Sequence, residues 1–149
     1  MSTTEAKPAA PVATMEAFFT RQKANEGIEV PLWLPNGDKS PFSLRIRGID
    51  SDAFKGAEAE SRRRMVELAS ADLTKLSSIA VAAEERLGIL SALVISWTFP
   101  DEFNAANVRT LLREAPQIAD QIDRIASKRH LFFKNGLSNS TPSPGASST

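Results

Sequence analysis

From Ile79 onward, apolar residues recur at steps of three and four, through Ala83, Leu87, Leu90 and Val94 to Trp97. That spacing places side chains on one stripe of an α-helix and predicts a central helix over about residues 77–97. Ala80, Leu93 and Ile95 make it apolar on more than one side, so it should be largely enclosed. The helix ends in Trp97-Thr98-Phe99-Pro100, and two shorter amphipathic segments follow, hinged at Pro116. Asn104 suits the N-cap of a helix over 104–115 carrying Val108, Leu111, Leu112 and Ala115, because its short side-chain oxygen can accept an orphan amide hydrogen. Pro116 fits the first turn of a further helix over 116–133 with Ile118, Ile122, Ile125, Phe132 and Phe133, which Asn135-Gly136 would end.

Upstream the period shortens to two. Ile28 to Leu34 and Phe42 to Arg47 alternate, and Pro35-Asn36-Gly37-Asp38 lies between them, a strong turn signal. The pattern predicts a β-hairpin over about 28–47 with Phe42, Leu44 and Ile46 on the buried face and Ser43, Arg45 and Arg47 on the wet one. Pro31 has no amide hydrogen for a ladder, so the first strand should be an edge or be bulged near that residue. Gly48 to Asp52 supplies a turn and an N-cap for a helix over 51–69. Its inner stripe, Phe54, Ala57, Ser61, Met65 and Leu68, is thin, which suits a surface helix, and a polar break follows at about Ser70 to Ser78. Met15 to Lys23 suits a short helix, with Phe18 and Phe19 sharing a face with Met15 and Gln22. Residues 1–14 and 136–149 are rich in Ala, Pro, Ser, Thr and Gly, too poor in large apolar side chains to offset the entropy of ordering, so both are expected to be disordered tails. The expected architecture is one α+β domain over 15–135, mainly α: an N-terminal hairpin followed by a small bundle of about four helices.

Composition narrows the function more than the fold. Eighteen basic residues balance eighteen acidic ones, so no global field favours nucleic acid or an anionic membrane. The absence of cysteine excludes disulfides and thiolate metal sites. Met1 to Val12 lacks the basic start and apolar core of a secretory signal, so the chain is expected to stay where it is made. The longest apolar run, Leu87 to Trp97, is well short of the roughly 20 residues a bilayer requires.

Nothing in the chain has the spacing of catalysis. His130 is the single histidine, the pairs Glu84-Glu85 and Asp101-Glu102 occupy neighbouring positions that do not face each other, and no phosphate loop or nucleophile elbow occurs. An enzyme is not expected, and no cofactor or metal. Ser61-Arg62-Arg63-Arg64 sits among Glu58, Glu60 and Glu67, the pattern of a solvated face with local ion pairs. Trp33 reads as a hairpin side chain packing on the helices. A helix-turn-helix over 104–133 would need a basic recognition face, yet Arg124, Lys128 and Arg129 are opposed by Asp120 and Asp123.

What remains is apolar helical surface, and with it partner binding. A groove between helices can accept an amphipathic segment, each large buried side chain contributing roughly 1.5 to 3 kcal/mol before ordering costs. The candidate partner-binding residues are Trp97, Phe99 and Phe103, with Leu111 and Ile122 on the next two helices and Phe132 and Phe133 at the end of the last. The same rings also suit a packed core. Exposed apolar faces tend to pair, so self-association is a further expectation.

The order of four segments resembles the tail assembly chaperones of long-tailed bacteriophages. A Pro-Asn-Gly hairpin leads into Arg45-Ile46-Arg47-Gly48-Ile49-Asp50-Ser51-Asp52-Ala53-Phe54, an apolar helix ends in Leu93-Val94-Ile95-Ser96-Trp97, a short loop reaches Phe103-Asn104 ahead of Leu111-Leu112, and Pro116-Gln117-Ile118-Ala119-Asp120-Gln121-Ile122 leads to Phe132-Phe133. The resemblance implies a protein of the host cytoplasm that binds the tape measure protein, a very long helical polypeptide with apolar segments. It would keep that chain soluble while tail tube subunits assemble, and be absent from the finished virion. The family commonly makes a longer product by ribosomal frameshifting, which recruits the tail tube protein. A minor structural protein of the tail or head-tail connector is the alternative.

Overall fold

The computed structural model describes residues 14–71 and 79–133. In chain order these form a 3₁₀ turn at Met15–Phe18, α1 (Arg21–Glu26), β1 (Ile28–Trp33), β2 (Lys39–Ile46), α2 (Asp52–Ala71), α3 (Ile79–Ser91), β3 (Val94–Trp97), α4 (Ala105–Glu114), α5 (Pro116–Ala126) and a 3₁₀ turn at Arg129–Phe133. The fold is α+β and mainly helical.

The hairpin forms for the local reasons its residues suggest. Gly37 takes φ 96°, open to glycine at little cost, and the turn closes with Leu34 N–H donating to the Asp38 carbonyl at 2.8 Å. Ile28 faces Ile46 and Val30 faces Leu44 across the ladder, which breaks register between Pro31 and Trp33. β1 is an edge, since the antiparallel sheet runs β1-β2-β3. Ser51 caps α2 by accepting the Phe54 amide at 3.2 Å, and Asn104 caps α4 by accepting the Asn107 amide at 2.8 Å. Pro116 opens α5 at its first turn, where a missing N–H costs nothing.

The sheet's third strand is the main correction to the helix expected over 77–97. The helix stops at Ser91, and Val94–Trp97 runs antiparallel to β2, with Trp97 opposite Leu44. A short apolar run is locally ambiguous between helix and strand, and here the open edge of β2 decides it. Arg47 N–H donates to the Leu93 carbonyl at 2.7 Å, and the Arg47 guanidinium holds the Ala92 and Val94 carbonyls at 2.8 and 3.3 Å. α3 is also far less enclosed than expected. Leu87 and Leu90 are buried, but Ala83 is exposed and Ile79 is 86% exposed. Ion pairs tether the helix instead: Glu84 to Arg109 and Arg113, Glu85 to Arg64, and Arg86 to Asp120 and Asp123.

The last helix is shorter than the expected 116–133. α5 ends at Ala126, whose carbonyl takes a hydrogen bond from Ile49 N–H at 3.2 Å, a donor outside the helix. The following turn is pinned by Arg129 to Asp50 at 2.6 and 3.0 Å. It tucks Phe132 against Gly48, where a Cβ would lie 3.3 Å from the ring. The expected helix over 15–23 is likewise broken, into the Met15–Phe18 turn and α1, because Phe19 is extended and Thr20 and Arg21 are drawn onto Asp50 and Asp52. Met15, Phe18 and Phe19 are exposed. Trp33 does not pack on helices: strand alternation points Leu32 inward and Trp33 outward, where the Lys39 ammonium sits 5.9 Å from its ring centre.

One core joins these elements. The inner faces of β1 and β2 pack with Leu90 and Leu93, Val108 and Leu112 of α4, and the buried stripe of α5. α2 contributes Phe54 and Ser61, whose hydroxyl donates to Glu85 at 2.8 Å, in keeping with its thin stripe. The expected tails, the polar break beyond Ala71 and the Asn135-Gly136 stop lie outside the described residues, Thr14 apart.

Candidate partner-binding site

The segment between β3 and α4 assembles a cluster of rings. Trp97 closes β3, and the chain leaves the sheet through a two-bond clamp: Thr98 N–H donates to the Ser43 carbonyl at 3.1 Å, and Ser43 N–H donates to Thr98 Oγ1 at 2.9 Å. The clamp delivers Phe99 onto Phe42 of β2, ring centres 5.1 Å apart. Trp97 then meets Phe99 at 5.2 Å and Phe103 at 5.1 Å, both edge to face, the geometry that the ring quadrupoles favour. The loop is held in place by its own backbone. Trp97 Nε1–H donates to the Asp101 carbonyl at 2.9 Å, and Asn107 Nδ2–H donates to the Glu102 carbonyl at 2.8 Å.

Beside this cluster lies an open groove of about 330 Å³, lined by Trp97, Phe99, Asp101, Asn107, Thr110 and Leu111. Its far wall is one face of α4, since Asn107, Thr110 and Leu111 are three and four residues apart. Phe103 packs on Trp97 at its margin and is 41% exposed. Of the seven residues singled out from the sequence, Trp97, Phe99 and Leu111 therefore converge on one groove, with Phe103 at its side. The others do not join them. Ile122 is 1% exposed and Phe132 is 6% exposed, so both are core residues with no surface to offer a partner. Phe133 is exposed, but at a separate narrow crevice with Thr20, Asp50 and Arg129. Phe42, Asp101, Asn107 and Thr110 belong to the site and carried no local signal, apart from Asn107 lying three residues past the Asn104 cap.

That second crevice is electrostatically built. Asp50 accepts from Arg129 and from the Thr20 hydroxyl at 2.7 Å, and these bonds, Arg129 foremost, bring its carboxyl down to about 2. Among the described residues, no group of three or more His, Asp or Glu side chains could hold a metal ion, and His130 is exposed. No helix among them is long and apolar enough to cross a membrane. Arg63 pairs locally with Glu60, whereas Arg64 reaches across to Glu85 of α3, so the arginine run is a solvated face in which one pair is local and the other ties two helices together.

The chain matches the sequence profile of a family described as phage tail assembly chaperone over residues 15–125. It belongs to that family. The match runs from the Met15–Phe18 turn nearly to the end of α5 and so takes in the whole aromatic groove of the chaperone, while Phe132 and Phe133 fall beyond it. No curated protein and no solved structure matches the chaperone.

Proposed function

We propose that this chaperone binds the tape measure protein of the phage tail, laying an apolar helical segment of it into the groove beside Trp97, Phe99 and Leu111. The observation that carries this reading is the cluster of rings next to an open, preformed groove, with Phe103 half exposed at its edge. A bound helix would cover that ring and the groove floor with side chains at three- and four-residue spacing. The client would stay soluble while the tail tube assembles around it, and the chaperone would be released before the virion is complete. In this reading it acts in the host cytoplasm, a longer frameshifted product brings in the tail tube protein, and a second copy of the chain is a further partner.

Co-expression with the tape measure protein tests the proposal. A soluble client that co-purifies with the chaperone is the expected result, against an insoluble client when it is expressed alone. A client that stays insoluble and unbound would overturn it. Mass spectrometry of purified virions tests the release: stoichiometric chaperone in the particle would favour a minor structural protein of the tail or connector.

A further inference from the structure

We infer that the groove selects a guest in which a large apolar side chain is flanked by lysine or arginine, the cation being held at an acidic lip. This rests on the reading of the groove as the client site.

Each side-chain donor lining the groove gives one hydrogen to a backbone carbonyl. Trp97 Nε1–H is held by the Asp101 carbonyl, Asn107 Nδ2–H by the Glu102 carbonyl, and the Thr110 hydroxyl by the Ala106 carbonyl at 3.0 Å. The acidic residues of this region are exposed. Asp101 lines the groove, and Glu102 beside it is exposed. Glu114 extends the α4 face of Asn107 and Leu111 by one more step of three and is also exposed. None of the three carboxylates has a side-chain partner among the described residues. The cations of α4 are turned elsewhere, since Arg109 and Arg113 reach Glu84 of α3 at 2.8 and 3.6 Å. The lining of the groove itself contains no basic side chain.

The chain as a whole carries no net charge, so this lip is a local feature. A purely apolar guest would strip water from the carboxylates without replacing its hydrogen bonds, and an acidic guest would be repelled. A lysine or arginine next to the apolar anchor supplies the missing donors and can also lie against the aromatic edge of the site. Complementary charge of this kind contributes more to selectivity than to raw affinity, and it weakens with salt.

The test uses two labelled amphipathic helical peptides with the same leucine and phenylalanine stripe, one flanked by lysine and the other by glutamate. Each is titrated with the full chain by fluorescence anisotropy at low and high salt. An exposed ion pair is worth a factor of about 1.5 to 5, so three carboxylates give the lysine peptide a preference of roughly tenfold at low salt. That preference should shrink at high salt and be abolished or reversed in the Asp101→Lys/Glu102→Lys variant, whose changes are at exposed positions. Phe103→Ala should weaken both peptides alike. Equal binding of the two peptides, or an unchanged lysine preference in the double variant, overturns the inference. If Phe103→Ala still weakens binding in that case, the groove remains the client site. If Phe103→Ala affects neither peptide nor capture of the tape measure protein, the groove reading itself falls.

Discussion

Replacing Phe103 with alanine should separate binding from stability, and the expected sizes follow from its exposure. In the free protein the ring is 41% exposed and makes one edge-to-face contact with Trp97. Losing that contact and the buried part of the ring, roughly 120 Å², should cost about 3 to 4 kcal/mol of stability. The exposed part amounts to roughly 80 Å² of a phenylalanine surface of about 200 Å². Covering it with a client is worth about 2 kcal/mol at about 25 cal/mol per Å², a loss of roughly thirtyfold in affinity when the ring is removed. Ile122→Ala is the control. That side chain is 1% exposed, so its truncation should cost about 2 to 5 kcal/mol of stability, cavity term included, while the folded fraction binds as before. Urea denaturation measures the first quantity and titration of the tape measure segment the second. If Phe103→Ala loses this stability and still binds the client normally, the ring is core and the reasoning is wrong.

Three other outcomes are expected. Gly27 ends α1 at φ 79°, and a Cβ there would lie 2.5 Å from the Ile46 carbonyl oxygen, so Gly27→Ala should lose about 2 kcal/mol or more in a thermal melt and open the start of β1 to hydrogen exchange. Asn104→Ala removes the α4 cap and should cost about 1 kcal/mol, with a matching weakening of client binding because α4 forms the groove wall. The Asp50 carboxyl lies at about 2 in the folded protein against an ordinary 3.8, so its stabilisation is complete above the ordinary value and is lost as pH falls through 2. At about 1.4 kcal/mol per unit, reduced for solvent screening, it amounts to roughly 1 to 2 kcal/mol. Denaturation midpoints between pH 5 and pH 2 should fall less steeply in Arg129→Ala, and identical slopes would refute the assignment.

The sequence alone determined what short-range chemistry controls. The hairpin follows from alternation around Asn36-Gly37, the ends of α2, α4 and α5 from Ser51, Asn104 and Pro116, and the wet and dry faces of β2 from its period of two. The family, too, was legible, because the order of these segments is a property of the chain. Only the tertiary structure decided where the apolar stripe from Ile79 to Trp97 changes from helix to strand, since Leu93 and Val94 satisfy either period and the vacant edge of β2 makes the choice. Exposure was decided there as well. Ile79 and Ile122 look alike in sequence, yet one stands in solvent and the other in the core, according to which elements reach them. The groove belongs to the same class: Phe42 meets Phe99, and Trp97 comes to face the wall of α4 that carries Leu111, through a sheet and a loop that no local pattern encodes.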